Sequence, residues 1–536
     1  MTSTAGLIAR YLADLGCRHA FGIPGGEVLA IIDALRRHGI GFTLVKHENS
    51  AGFMAEGIWH GTGKPAILVA TIGPGLTNAV NTIANASQEQ VPLVVLTGCV
   101  DPVDRLSYTH QVIDHQAVLR PLVKSSFEVT DGNVPAMMEQ VLTAMLSDPP
   151  GPIHIDLPVK LAEKPQPDSA IASLIPPVRP TLTDRDLITG VTARIDRAER
   201  PVMIVGLEVL YHQAEGIVAD FAIANAIPVI TTYKAKGVLA EDHPLALGGA
   251  GLSPKADRLI MPLLAASDCI LLVGYDPIEM RVGWRDPWPD PALVIEFAAT
   301  TRRHGMHRAG IEIVGDIGQM LGAIGAELKG GNRRWPNGEA LALRADLKSA
   351  FAPQSEWGPA AIFAAARRLA PRNAIATADS GAHRILLSQQ WECFRPRDLR
   401  QSSAFCTMGV SVPLAAGSKL AEPGRAVIAF VGDAGLEMGI GELATLRDLG
   451  LAVVIIVLVD RSLALIEMKQ RASGLANTGV DFAPTDFAAI TRAYGGDAYD
   501  VEDMQDFEAA LSSALKAPRF SVIACSIDQR SYDGLI

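Results

Sequence analysis

Two hydrophobic periods alternate along this chain. Short apolar runs of strand length recur, each followed by a turn and then by apolar residues at helical spacing. The pattern is sharpest near the C-terminus. Val427–Val431 is a short apolar run that ends in Gly432-Asp433-Ala434-Gly435. Leu436, Ile440, Leu443, Leu446 and Leu449 follow at helical spacing and predict one amphipathic helix. Val453–Val459 is a continuous, mostly β-branched run, as expected of a strand buried on both faces, and it stops at Asp460. Strand, glycine loop, helix and strand make a βαβ unit of a parallel sheet.

The same alternation runs from the N-terminus. His19–Ile23 reads as a strand, Pro24-Gly25-Gly26 as a turn, and Glu27–His38 as a helix with Val28, Ile31, Ile32 and Leu35 on one face. Phe42–Lys46 is the next strand; it ends at His47-Glu48, and Asn49 is placed to cap the following helix. Ala66–Thr71 ends in Gly73-Pro74-Gly75, and Val91–Thr97 and Ile153–Leu157 complete a parallel sheet. Pro201–Gly206, Ile227–Thr231, Cys269–Gly274 and Leu293–Phe297 predict a second sheet. A third domain begins near Trp357, with a strand at Ala374–Ala378 and Asp379-Ser380-Gly381-Ala382-His383 at its tip. Lys164–Asp184, rich in Pro, Ser and Thr, reads as a linker. So does Lys329–Gln354, with Gly330-Gly331-Asn332 and Trp335-Pro336-Asn337-Gly338. The predicted class is α/β: three doubly wound parallel-sheet domains, at 1–165, 185–330 and 355–536. The first and third share a strand–helix order, as an old duplication would leave, without a clear sequence repeat.

Composition narrows the function. A chain of 536 residues suggests three or four domains, at ~150 residues each. The net charge is −11 without a basic block, which argues against nucleic acid. Cys17, Cys99, Cys269, Cys393, Cys406 and Cys525 form no Cys-x-x-Cys pair, as expected of reduced thiols in the cytoplasm. The first residues lack the basic start and apolar core of a signal peptide. The longest apolar run, Leu451–Val459, is far below the ~20 residues that span a bilayer, so no membrane partner is expected.

The chemistry concentrates at the strand ends. Both strands of the Val427–Val459 unit end at one edge, so Asp433 and Asp460 should meet there as a hard oxygen site suited to magnesium. The glycines beside Asp433 and the following helix N-terminus suit a phosphate. The stretch therefore predicts a site for a magnesium diphosphate.

With Ala434 for the last glycine of Gly-Asp-Gly and Val459-Asp460 for a closing Asn-Asn, the stretch resembles the diphosphate motif of thiamine diphosphate enzymes. A Val-Asp or Asn-Asp ending resembles the catabolic acetolactate synthases of that family. His47-Glu48-x-x-Ala51-x-x-Met54-Ala55-Glu56-Gly57, Phe21-Gly22-Ile23-Pro24-Gly25-Gly26, Gly73-Pro74-Gly75-x-x-Asn78 and Thr407-Met408-Gly409 are similar to family segments in the same order. The resemblance implies that Glu48 is the catalytic residue, activating the cofactor through its aminopyrimidine. Contact with the cofactor is implied for Pro24, Gly73, Asn78, Ala382, His383, Ala404, Met408, Gly432, Asp433, Ala434, Gly435, Asp460, Ser462 and Leu463. Asp433, Asp460 and the Ser462 carbonyl would hold Mg2+.

Glu27, Gln111, Leu465 and Lys469 would form the substrate pocket. Thr109-His110-Gln111 and Lys124 fit the catabolic pattern. Gly274-Tyr275-Asp276-Pro277-Ile278-Glu279 resembles the flavin-free members, so no flavin is expected. Glu48 and Asp433 come from different subunits in that family, which implies a homodimer at least, commonly a homotetramer. Glu27, Glu467 and Lys469 depart from the family pattern, and Lys469 would favour an anionic group. The implied activity is a 2-oxo acid decarboxylase and carboligase of the acetolactate synthase type. The alternatives are a lyase or decarboxylase for another substrate (a 2-hydroxyacyl-CoA, oxalyl-CoA or an anionic 2-oxo acid) and a cofactor-binding paralogue without turnover.

Overall fold

The apolar runs assemble into three sheets of six strands each, all parallel. The structure is a computed structural model and describes residues 2–167, 178–302, 304–330 and 335–536. Residues 168–177 and 331–334, inside the two predicted linkers, lie outside the described residues.

The first sheet contains β1 (His19–Gly22), β2 (Gly41–Leu44), β3 (Ala66–Ala70), β4 (Leu93–Cys99), β5 (Ser125–Glu128) and β6 (Ile153–Pro158), in the order β2-β1-β3-β4-β6-β5. The second contains β7 (Pro201–Val205), β8 (Val229–Thr232), β9 (Ala246–Ala250), β10 (Cys269–Val273), β11 (Val294–Ala298) and β12 (Ile311–Val314), in the order β9-β8-β7-β10-β11-β12. The third contains β13 (Ile375–Ala378), β14 (Leu399–Gln401), β15 (Val427–Gly432), β16 (Val454–Val459), β17 (Asp497–Val501) and β18 (Ser521–Ser526), in the order β14-β13-β15-β16-β18-β17. The first and third orders are the same permutation, which agrees with the duplication suggested by the sequence.

The three sheets contain six strands beyond those expected. β5, β9, β12, β14 and β17 are edge strands, short or interrupted by glycine or charge, so their apolar signal is weak. β18 is central, but serines bound it and its apolar run is short. The predicted helix through Leu436–Leu449 is two helices, α5 (Asp433–Met438) and α6 (Glu442–Asp448), broken where Gly439-Ile440-Gly441 removes helix propensity. The predicted helix Glu27–His38 is a 3-10 turn, Gly26–Val28, and then a helix from Leu29 to Arg37.

The first and third sheets share a core. α1 (Glu48–Thr62) of the first packs on α2 (Pro74–Gln88) of its own sheet and on α4 (Ser411–Ala421) of the third, with Ala51, Ile58, Val412 and Ala416 buried between α1 and α4. α1 and α4 cross at Gly57 and Gly417. A Cβ on Gly57 would come within 2.6 Å of the Leu414 carbonyl, and one on Gly417 would overlap the Met54 carbonyl. Larger residues would force the helices apart, and with them the two sheet edges. Among the described residues no helix is long and apolar enough to cross a membrane.

Candidate active site

Strand order decides where ligands can sit. The order reverses between β1 and β3, and again between β13 and β15; a crevice opens there, outside the carboxyl ends. Most of the predicted cofactor residues lie at these two places.

At the third sheet, α3 (Ala382–Gln390) follows β13 and α5 follows β15. Ala382, His383, Met408, Gly432, Asp433, Ala434, Gly435, Asp460, Ser462, Leu463 and Leu465 line one cavity of about 230 Å³. Asp433 opens α5; its two carboxylate oxygens accept the N–H of Ala434 at 2.9 Å and of Arg461 at 2.7 Å. Arg461 makes this turn with φ 58, a left-handed conformation that aims its amide back at Asp433. Asp460 accepts the Ser462 amide at 3.1 Å. Burial raises both carboxyl pKa values, and the neighbouring Asp433 adds to the effect at Asp460, which is pushed up to about 7. Two buried, mutually repelling carboxylates form a donor set that a hard cation would relieve.

The same cavity is rich in polar atoms without partners. His383 Nε2, Ser380 Oγ, Ser462 Oγ and Tyr532 Oη are buried and lack a hydrogen bond. Burial holds His383 neutral by pushing its pKa down to about 3. Open donors, two helix N-termini and an acidic pair in one cavity fit a diphosphate bridged by a divalent cation.

At the first sheet, Glu48 is the first residue of α1 and is buried. His47 caps this helix, its Nδ1 accepting the Asn49 amide at 3.1 Å; this corrects the expectation that Asn49 is the cap. The imidazole nitrogen reaches an amide that the preceding strand leaves unpaired. Asn78 of α2 donates to Glu48 Oε2 at 3.0 Å, which leaves Oε1 for a ligand. Gly73 starts α2 with φ 65 and ψ −100, a conformation that favours glycine. The two edges are tied within one chain. Lys46 and His47 amides donate to Glu442 Oε1 at 2.9 and 3.2 Å, and Asn81 donates to Thr407 Oγ1 at 3.0 Å.

Other predicted residues lie apart. Ala404 is half-buried outside the cavity lining; its amide donates to Glu89 at 2.8 Å, which fixes the loop that carries Met408. Pro24 is exposed in the turn after β1. Glu27 lines a separate pocket with Ile72, Asp101, Asp104 and Tyr108 and accepts Thr71 Oγ1 at 2.6 Å. Gln111 is exposed, with φ 60 and its carbonyl packed against Gly73. Lys469 is exposed and does not line the cavity, contrary to the expectation that it does. The cause is the helix start: α7 (Ala464–Ala472) begins beyond Ser462, so residues 463–466 line the cavity and Lys469 follows toward solvent. Glu467 is paired with Arg471 at 3.0 Å on the same helix.

Sequence reasoning missed Arg384, Cys406 and Tyr532, which also line the cavity. Arg384 stands next to His383 and could have been found by following the helix one residue further. Tyr532, in the C-terminal turn, carried no signal.

It also missed a buried relay beneath Gly73. The Gly73 amide donates to His115 Nε2 at 3.1 Å, so the His115 proton sits on Nδ1, which faces Asp156 Oδ1 at 3.0 Å. Thr97 donates to the same Asp156 oxygen at 2.6 Å and faces His154 Nε2 at 2.7 Å. Burial lowers the His154 pKa to about 4, so it is neutral. His115, His154 and Asp156 are spaced closely enough to hold a metal, but the protonated Nδ1 makes His115 a donor there, not a ligand. The relay instead fixes the turn that carries Asn78 toward Glu48. His115→Leu should leave a buried amide without an acceptor and cost about 1–3 kcal/mol of stability. Urea unfolding measures this, and His115→Gln, which keeps an acceptor, should recover part of the loss.

Crevices at reversed strand order, one of them rich in open donors and carboxylates, are those of an α/β enzyme that works through a bound cofactor. Comparison with known proteins agrees. The thiamine pyrophosphate enzyme N-terminal TPP binding domain matches residues 2–118, the central domain 188–324, and the C-terminal TPP binding domain 379–525. Acetolactate synthase isozyme 1 large subunit of Escherichia coli (strain K12) is 30% identical over 551 residues, covering 98% of this chain and 94% of that protein. Acetolactate synthase of Bacillus subtilis (strain 168) is 27% identical over 536 residues, covering 98% and 93%. The catabolic acetolactate synthase of Raoultella terrigena is 28% identical over 540 residues, covering 98% and 95%. This chain belongs to the thiamine pyrophosphate enzyme family and is acetolactate synthase-like within it.

Proposed function

We propose that this enzyme is a thiamine diphosphate- and magnesium-dependent decarboxylase and carboligase acting on 2-oxo acids, of the acetolactate synthase type. The observation that carries the reading is the pair of half-sites: a buried Glu48 with one free oxygen on the first sheet, and the Asp433/Asp460 cavity on the third. Residues 1–165 are taken as the pyrimidine-binding domain, 185–330 as the middle domain and 355–536 as the diphosphate-binding domain.

When bound, the cofactor supplies a nucleophilic carbon that adds to a 2-oxo acid and lets carbon dioxide leave. Asp433, Asp460 and the Ser462 carbonyl would hold the metal, and His383 and the α5 amides would face the diphosphate. Glu48, oriented by Asn78, would exchange a proton at Oε1 with the cofactor's ring. Met408 would pack against the cofactor. The family pattern supports a dimer or tetramer in which the first-domain half of one subunit meets the third-domain half of another. The test is incubation with thiamine diphosphate, magnesium and a panel of 2-oxo acids, following carbon dioxide and ligation products together. Loss of carbon dioxide release across the whole panel would sink the reading.

Arg302 supports the absence of flavin. It spans the carboxyl ends of β7, β10 and β11, donating to Glu208 at 2.6 Å, to Glu296 at 2.9 Å and to the Tyr275 carbonyl. A nucleotide in this crevice would have to displace that buried network. The protein is expected to purify colourless; stoichiometric flavin released on denaturation would refute this.

A further inference from the structure

The cavity contains one cation that the reading above does not use. Arg384 is the third residue of α3 and is only 6% exposed. Its guanidinium makes two hydrogen bonds to neutral groups, the Ser402 carbonyl and Cys406 Sγ, the latter at 3.2 Å. Its Nε is buried and has no partner. Among the described residues, no carboxylate lies within 4.0 Å of it. The buried Asp379 nearby is already engaged by the amides of Gly409 at 3.1 Å and Val410 at 2.9 Å. Asp379 acts on Arg384 only through space, without an ion pair, and a buried charge that is only partly compensated is costly, the usual remedy being direct pairing.

We infer that Arg384 is an anion-binding residue of this cavity, taking an oxyanion of the bound molecule on its free Nε–H. Three observations support this independently of the family. The His383 beside it is held neutral by burial, so the positive charge on this wall comes from Arg384. Both sit in the first turn of α3, where the helix end itself favours an anion. The acidic pair Asp433 and Asp460 lines the same cavity. A cavity holding both acids and a cation suits a molecule whose anionic group is only partly neutralised by a metal. Arginine offers a planar fork that lysine lacks, and it stays charged when buried. Lys469, the cation expected for this purpose, is exposed.

The oxyanion has two candidate sources, a phosphoryl group of the cofactor or the carboxylate of a 2-oxo acid; that choice rests on the proposed function, whereas the cation site does not. Arg384→Gln and Arg384→Lys separate the cases. Calorimetric titration measures inorganic pyrophosphate on the cofactor-free protein, and thiamine diphosphate with magnesium. Steady-state kinetics gives KM for pyruvate. Arg384→Gln is expected to weaken at least one of these by about 10-fold or more, with partial recovery in Arg384→Lys. Weakening of pyrophosphate and thiamine diphosphate assigns the phosphoryl group; a raised pyruvate KM at unchanged cofactor affinity assigns the carboxylate. Unchanged values in all three overturn the inference and leave Arg384 as a brace between α3 and the 402–406 turn. If the wild-type protein turns over no 2-oxo acid yet binds pyrophosphate in an Arg384-dependent way, the proposed reaction falls and the inference stands. Should Arg384→Gln fail to fold, wild-type crystals soaked in pyrophosphate or in the cofactor with a 2-oxo acid decide. An oxyanion within hydrogen-bond reach of Nε upholds the inference, and its absence from every soak overturns it.

Discussion

Asp433→Ala is expected to lose magnesium-dependent retention of thiamine diphosphate, with affinity falling by about 100-fold or more, or roughly 2.7 kcal/mol. Asp460→Ala should weaken it by less. The asymmetry comes from the hydrogen bonds. Asp433 is fixed by amides on both oxygens, whereas Asp460 is engaged on one. Magnesium demands near-ideal geometry, so the more rigid ligand contributes more.

The same pair predicts an effect on the cofactor-free protein. The folded Asp460 has a pKa raised to about 7, above the ~3.9 of an unfolded aspartate. The unfolded state therefore gives up its proton first as pH rises, and the cofactor-free fold loses stability between those two values. Asp460→Asn removes that penalty. At pH 8 it should raise the melting temperature of the cofactor-free protein while weakening magnesium and cofactor binding. Calorimetry reads both, and a variant that lowers both would contradict the account.

Much of this architecture was legible in the residues because the central strands are apolar and β-branched. Val427–Val431 and Val453–Val459 fall as neighbours β15 and β16, and their following aspartates meet at one edge. Asp433 and Asp460 were read from their places directly after strands, whereas Glu48 and His383 were singled out by the resemblance, and each stands at a helix start after a strand. What escaped was set by long-range contact. His115 and Asp156 come from separate elements and meet only when β4 pairs with β6. Arg384 carried no sequence signal, because its unpartnered Nε and its missing ion pair are visible only in three dimensions. Lys469 shares a helix face with Leu465 but stands one turn further along α7, beyond residues 463–466 that line the cavity.

Glu48→Gln is expected to keep the fold and most of the cofactor affinity but slow turnover by about 100-fold or more, the scale of a removed acid–base group. Glu48 is buried at the start of α1, with Asn78 on one oxygen and the other uncommitted. A glutamine keeps the shape and can accept from Asn78 through its amide oxygen, but it cannot exchange a proton at Oε1. Its contribution to packing is therefore retained while its proton is lost. Glu48→Asp is a stricter probe. It keeps the acid but withdraws it by one methylene, so turnover should fall between those of the wild type and Glu48→Gln if reach matters. The helix N-terminus favours a negative group at this position, so Glu48→Gln should also cost a little stability, on the order of 0.3–1 kcal/mol. Measured together, a large loss in kcat, a small change in cofactor affinity and a small change in melting temperature identify a proton-transfer role. A near-normal kcat in Glu48→Gln would remove Glu48 from the chemistry and leave Asn78 and Glu48 as a structural pair. A loss of cofactor affinity as large as the loss of kcat would instead make Glu48 an anchor for the ring.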